Sequence, residues 1–473
     1  MNSTTTETFR PRVAPARAEA VPLPRTAKGL SWFSIVRLGL AQTALGAIVV
    51  LTTSTLNRVM VVELALPALL PGLLVGLHYA IQMLRPRWGY GSDTGGHRTP
   101  WIIGGMAVLA TGGALAAVAT AVMATSITFG VLLAVFAFML IGVGVGASGT
   151  SLLVLLATHV RSDRRAAAAS IVWIMMIAGF VITATTAGYL LDPYSAARLI
   201  AVTSGVSLLA FLLTVVAVWG IEKSNASVVE KDAASETSKT PFMTALGEVW
   251  SEPQARRFTI FVFVSMLAYS MQDLILEPFA GLVFGMTPGE STRLAGVQHG
   301  GVLVGMVLVA LVGSIAGGHR FGSLRFWTIG GCIASGIALA GLAFSGHYGD
   351  TYPLKPSVFL LGLANGAFAV AAIGSMMALA GSGRKSREGV RMGLWGAAQA
   401  IAFGLGGILG AAGVDIMRQF VASPIHAYGT VFAIEGLLFV VAAVLAVRVG
   451  STAQNNEARI SPFAPGQQLA ENG

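Results

Sequence analysis

Long apolar runs separated by short polar breaks set the pattern from residue 34 almost to the end of the chain. The runs span 34–56, 66–84, 100–124, 127–157, 166–190, 198–221, 257–284, 294–316, 326–345, 356–380, 390–412 and 426–448. An α-helix crosses a hydrocarbon core with about 20 apolar residues, so the pattern predicts an all-α membrane protein of about twelve transmembrane helices. A helix suits that setting because it satisfies its backbone N–H and C=O groups within one segment. Polar stretches bound the runs: a tail at 1–33, a connection at 222–256 and a second tail at 450–473. The connection carries Lys223, Glu230, Lys231, Asp232, Glu236 and Lys239 and reads as a solvated linker with no structure imposed on it. The first tail is polar and rich in Arg and Pro, and the run after it is long enough to stay as a helix, so no cleaved leader is expected.

Composition strengthens the membrane reading. Hydrophobic residues make up 55% of the chain and charged residues 11%, against roughly 25% charged in a soluble domain. The net charge of +9 takes its meaning from position. If both termini are cytoplasmic, one side holds Arg85, Arg87, Arg98, Arg161, Arg164, Arg165, Arg256, Arg257, Arg320, Arg325, Arg384, Lys385, Arg387 and Arg391. The other keeps Arg58, Arg198, Arg293, Lys355 and Arg418. That bias orients a multi-pass membrane protein with both termini cytoplasmic, and contacts to anionic lipid explain the bases without nucleic acid. The one cysteine, Cys332, lies inside an apolar run, so no internal disulfide can form. Many of the 58 glycines lie inside the runs, as at Gly142, Gly144 and Gly146, where small residues let helices approach closely.

The chain repeats itself. Gly95-Gly96-His97-Arg98 follows the second run and Gly317-Gly318-His319-Arg320 the eighth, and Arg165 and Trp173 match Arg387 and Trp395 at the same offset. Trp101-Ile102-Ile103-Gly104-Gly105 and Trp327-Thr328-Ile329-Gly330-Gly331 extend the likeness. Duplication of a six-helix unit accounts for this, giving halves at 34–221 and 257–449. The segment from Gly89 through Asp93 and Gly96 to Arg98 resembles the loop motif of the major facilitator superfamily. The resemblance implies that fold, with Gly89, Asp93, Gly96 and Arg98 as a conformational switch. Glycine permits the tight turn, and Asp93 can cap a helix N-terminus or pair with an arginine as the halves rock. His97 and His319 read as wet loop residues.

Residues Thr55-Leu56-Asn57-Arg58-Val59-Met60-Val61-Val62-Glu63-Leu64 resemble the signature of the PucC-like, or bacteriochlorophyll delivery, family, and the likeness extends over roughly 30–450. It implies a membrane factor that binds or delivers bacteriochlorophyll during pigment synthesis and light-harvesting complex assembly. Implied partners are bacteriochlorophyll or a precursor, antenna polypeptides or late pigment-synthesis enzymes, and membrane lipid; oligomerisation is left open. No intrinsic cofactor is implied, bacteriochlorophyll being a bound ligand. The short loop Thr94-Gly95-Gly96-His97-Arg98-Thr99-Pro100-Trp101 is similar to the branch associated with late pigment-synthesis genes, some of whose members are labelled subunits of bacteriochlorophyll synthase. The chain shows no P-loop, dinucleotide fingerprint, metal-spaced Cys/His cluster, nucleophile elbow or Asp-rich diphosphate motif, so no enzyme and no metal site are expected. The alternative function is a proton- or cation-coupled secondary transporter of a small solute.

Polar residues inside apolar runs are the site candidates, since each ionised group costs about 2.5–3.5 kcal/mol at the bilayer centre. Asn57, Arg58 and Glu63 fall in the first run, with Arg58 and Glu63 read either as an interfacial ion pair or as functional. Asp273 and Glu277, four apart in the seventh run, are expected on one helix face. They read as a proton-coupling site, as a polar wall facing pigment or Arg58, or as an unwound, wet helix end at Pro278. His78 interrupts the second run and is the first candidate axial ligand of a chlorin magnesium, with His299 and Asn365 behind it; a hydrogen-bonded bundle histidine is the plainer reading. Glu435 is expected to be buried with no evident partner. Trp32, Trp101, Trp327 and Trp395 fit an aromatic belt.

Overall fold

The computed structural model describes residues 30–84, 97–161, 164–224, 242–315, 323–382 and 388–460. Gly89, Asp93, Gly96 and His319, named above as loop residues, lie outside that set. Helices fall at all twelve expected places. They are α1 (Trp32–Glu63), α2 (Leu69–Gln82), α3 (Thr99–Met123), α4 (Ile127–His159), α5 (Arg165–Leu190) and α6 (Ala196–Val218). The second series is α7 (limbs Pro253–Met271 and Leu276–Phe284), α8 (Pro288–Ile315), α9 (Leu324–Ser345), α10 (Leu354–Ser382), α11 (Glu388–Phe420) and α12 (Pro424–Ile460). Among the described residues ten helices are long and apolar enough to span a membrane, and the bent pair of α7 makes an eleventh. α2 has 14 residues, about 21 Å of helix, which is short of a span. We call the face where α1 begins and α12 ends the terminal face, and the opposite one the far face.

Local chemistry sets many of these ends. Ser31, Ser195 and Ser323 cap α1, α6 and α9 by accepting the N–H of the residue three ahead. α8 opens on a reciprocal box: the Thr287 hydroxyl accepts the Glu290 N–H while the Glu290 carboxylate accepts that of Thr287, with Pro288 between them. Gly285, at φ +64°, closes α7 in the left-handed conformation.

α1 and α7, the first helices of the two halves, both depart from regular α-helix. α1 runs through two π turns, Leu51–Thr55 and Val59–Glu63, on either side of Asn57 and Arg58. α7 breaks at the 3-10 turn Gln272–Leu274 and bends by 40°. Proline explains the break. Pro278 has no N–H to give the Leu274 carbonyl four residues back, and its ring crowds that carbonyl. The Asn57 amide takes up the orphaned oxygen from α1, at 2.6 Å.

Small residues govern the helix contacts. α8 and α10 lie backbone against backbone: a Cβ added at Gly301, Gly305, Gly362 or Gly366 would collide with a carbonyl oxygen of the other helix (Phe359, Leu363, Gln298 and Val302 respectively). Gly142 and Gly144 do the same work against α2 and α3. Between the halves, α5 packs on α8 and α2 on α11. Trp395 departs from the belt reading. It is buried edge-on against Phe258, with its Nε1 toward the Ala255 carbonyl, because it faces the interior of the second half.

Helix also appears inside the expected linker, at Ile221–Ser224 and Phe242–Ser251. Glu222 explains the first: its carboxylate accepts the N–H groups of Arg98 and Thr99 at 2.7 and 2.9 Å, capping α3. Burial raises the Glu222 pKa, but those N–H groups and the His97 charge outweigh it, so the carboxyl sits below its ordinary value. A lowered carboxylate stabilises the fold above its ordinary pKa and loses that contribution as pH falls through the lowered one. Glu222→Gln is therefore expected to cost about 1 kcal/mol at neutral pH and to flatten the acid limb of a thermal-unfolding series against pH.

Candidate functional site at the seam between the halves

The bent helices α1 and α7 bring their polar residues together on the far-face side of the seam. Arg58 is 2% exposed; its Nη1 donates to Glu63 at 2.5 Å and its Nη2 to the Met286 carbonyl at 2.6 Å. This is a buried tether to the α7–α8 turn rather than a snorkelling arginine, and Gly281 makes room for it, since a Cβ there would lie 2.9 Å from Nη2. Glu277 accepts hydrogen bonds from Ser54 of α1 and from Ser291 of α8, the latter at 3.1 Å, and the Arg58 charge acts on it. Thr55 and Thr292 share a further hydrogen bond at 3.1 Å.

Asp273 and Glu277 do not meet the same partners, contrary to the single face expected of positions four apart. Asp273 stands on the 3-10 turn, and the bend lies between it and Glu277. Glu277 turns to Ser54 and Ser291, whereas Asp273 is half-buried and acts on Tyr269 and on Glu435 of α12.

Two latches that the sequence reading missed lie beside this cluster. Asp415 of α11 accepts the N–H groups of Ala68 and Leu69 at 3.0 and 2.7 Å, so a carboxylate of one half caps α2 in the other. Asp192 of the α5–α6 turn takes Arg293 at 3.0 Å and the Thr287 hydroxyl at 2.8 Å. Neither aspartate stands out in sequence, because both fall in polar breaks where carboxylates are ordinary.

The candidate pigment ligands fall at different places. His78 is buried, with its Nε2 2.8 Å from the Gln82 amide nitrogen. Asn365 is buried in the second half, where its Oδ1 accepts from Ser335 at 2.7 Å. His299 is half-buried on α8 at the seam with α5, edge-on to Phe180 at 4.9 Å. Its Nδ1 lies 2.8 Å from the Ala295 carbonyl. A carbonyl only accepts, so Nδ1 carries the proton and Nε2 keeps its lone pair.

At the other seam three half-buried rings meet across the halves. Tyr79 of α2 stacks on Phe403 of α11 at 5.9 Å, and Phe403 meets Tyr269 of α7 at 5.8 Å. Single aromatic positions in apolar helices carry no such signal in sequence, since only the fold aligns them. Among the described residues no group of three or more His, Cys, Asp or Glu is placed to hold a metal ion.

Residues 55–454 match the family model described as PUCC protein. The chain is 54% identical over 438 residues to the "Bacteriochlorophyll synthase 44.5 kDa chain" of Rhodobacter capsulatus, covering 93% of this chain and 100% of that protein. It is 30% identical over 451 residues to "Protein PucC" of the same species, covering 92% and 94%. The fold is similar to the crystal structure of a D-xylose–proton symporter, with a TM-score of 0.66 and 13% identity over 88% of this chain and 97% of that one. That likeness shows an all-helical fold of the major facilitator kind.

Proposed function

We propose, for a chain that belongs to the PUCC protein family, that it binds bacteriochlorophyll in the membrane and delivers it during pigment synthesis and light-harvesting assembly, without catalysing a chemical step. The observation that carries this reading is His299. Histidines that bind metals are commonly held by a second ring N–H bonded to a carbonyl, as Nδ1 is here with Ala295. The Nε2 lone pair suits the magnesium of a chlorin, which takes neutral imidazole in place of water. His299 thus precedes His78, whose Nε2 would first have to leave Gln82, and Asn365, whose oxygen already accepts from Ser335.

The rings of Tyr79, Phe403 and Tyr269 support the same reading, because a flat apolar macrocycle draws most of its affinity from such surface. The relative named as a synthase chain favours a partner among late pigment-synthesis enzymes, and the relatives named PucC favour antenna polypeptides. The membrane is the bacterial inner, intracytoplasmic one, with both termini cytoplasmic. Reporter fusions at 222–256 and 450–473 are expected to read cytoplasm, and a periplasmic signal at either would reverse the orientation.

His299→Leu tests the ligand. The variant is expected to insert normally, since leucine is well tolerated in a membrane helix, and to show a shifted pigment absorption with less pigment retained. Full pigment with an unshifted spectrum would remove His299 from the site. A second reading, coupled carriage of a small solute, is favoured by the buried Glu277, and solute uptake into vesicles that lack pigment would support it.

A further inference from the structure

Four helices of the second half carry a polar residue at one depth of their shared interior. The aromatic packing fixes that depth. Tyr269 of α7 meets Phe368 of α10 at 6.2 Å, Phe368 meets Phe439 of α12 at 5.6 Å, and Gly331 of α9 packs on Phe368. One helical turn from each of these, toward the far face, come Asp273, Asn365, Glu435 and Ser335. A second aromatic layer closes the far side, where Phe279 meets Phe432 at 5.0 Å and Tyr428 at 5.7 Å.

Within the sandwiched layer Ser335 donates to Asn365, and the Asp273 charge acts on Glu435. Glu435 is 0% exposed and, among the described residues, neither of its carboxyl oxygens has a hydrogen-bond partner; nor does the Asn365 Nδ2. A carboxylate so placed would bear the full loss of its hydration, which only a proton or a close cation removes.

Among the described residues, the titratable groups on the elements packed against this stretch of α12 supply no such cation. They are Asp273 and Tyr269 on α7, Cys332 on α9, and Asp415 and Arg418 on α11, with Tyr428 on α12 itself. Arg418 and Asp415 act on Tyr428, on the far-face side of the layer. Glu277 is engaged by Ser54 and Ser291.

We infer that Glu435 holds an exchangeable proton and that Asp273, Ser335, Asn365 and Glu435 form a proton-binding site inside the second half. Asp273 is the route out, because it is half-buried and stands on the 3-10 turn where α7 bends. The Glu435 acid passes its proton to the Asp273 carboxylate, and Asp273 gives it to water; uptake runs the same steps in reverse. This site stands independently of pigment binding.

Infrared difference spectroscopy on the full chain in lipid, stepped in pH and repeated in D2O, tests it. One carboxylic-acid carbonyl band is expected to vanish in Glu435→Gln. In Asp273→Asn that band should remain but exchange its proton at least tenfold more slowly. A Gln variant that retains every acid band overturns the proposal. A wild-type band displaced by sodium at constant pH also overturns it, in favour of a metal cation. If Glu435→Gln does not accumulate, Glu435→Leu separates the cases: a neutral acid tolerates the apolar replacement, and failure of both variants marks a structural carboxylate and ends the proposal.

Discussion

Replacing Gly362 with leucine is expected to leave no folded chain to extract from the membrane. The α8–α10 contact has no space at that position, because the obstacle is the Gln298 carbonyl, part of a helix backbone that cannot turn aside. Overpacking a core by methylenes alone costs about 1–3 kcal/mol, and a rigid backbone obstacle raises the cost beyond that. Lipid tails are as apolar as leucine, so no hydrophobic gain offsets the parting of the two helices. Gly330 on α9 is the control, since a Cβ there meets nothing within 4 Å. Size-exclusion profiles of detergent extracts should show a single peak for Gly330→Leu and none for Gly362→Leu. A monodisperse Gly362→Leu protein as heat-stable as the parent would refute the close approach of α8 and α10.

Arg58→Leu is expected to loosen the far-face end of the seam. The guanidinium joins Glu63 to the Met286 carbonyl and lies beside Glu277, so its loss removes two hydrogen bonds to a charged group. Such bonds contribute about 1.5–3 kcal/mol each. The chain has one cysteine, the buried Cys332, which leaves a low background for thiol labelling. A cysteine introduced at Thr55 should react with a membrane-impermeant maleimide several-fold faster in Arg58→Leu than in the parent. Arg58→Lys is not expected to restore closure, because an ammonium lacks the planar fork that reaches both acceptors. Equal labelling in all three would show that the seam is held elsewhere, with Asp415 at the α2 N-terminus the next group to test.

Much of the architecture is legible in the sequence, because a bilayer imposes one simple demand: long apolar helices with satisfied backbones. The apolar runs locate the helices to within a few residues at most ends, with α1, α8 and α11 among those that run further. α1 runs past the expected end at residue 56 because Asn57 and Arg58, which look like a boundary in one dimension, find buried places against α7 and the α7–α8 turn, and the exposed Glu63 pairs with Arg58. Pro278 hints at the break in α7, but the site of the break, four residues earlier, follows only from its missing bond to Leu274.

The candidate site is less legible. Arg58 and Glu277 are visible as costly residues in apolar runs, whereas their partners Ser54 and Ser291 are ordinary small polar residues. His78 looks the better ligand in sequence because its surroundings are more apolar. Its Gln82 neighbour, one turn away, becomes decisive only when both side chains are in place. The contacts of Tyr79, Phe403 and Tyr269 join residues more than a hundred positions apart, and no local pattern encodes them.

Pigment content of the isolated protein decides whether the chain binds bacteriochlorophyll. Chain purified in mild detergent from pigment-replete phototrophic membranes should carry bacteriochlorophyll at a fixed stoichiometry, with an absorption band that His299→Leu shifts. Colourless parent protein from the same membranes would contradict pigment binding and leave the small-solute carrier as the standing account.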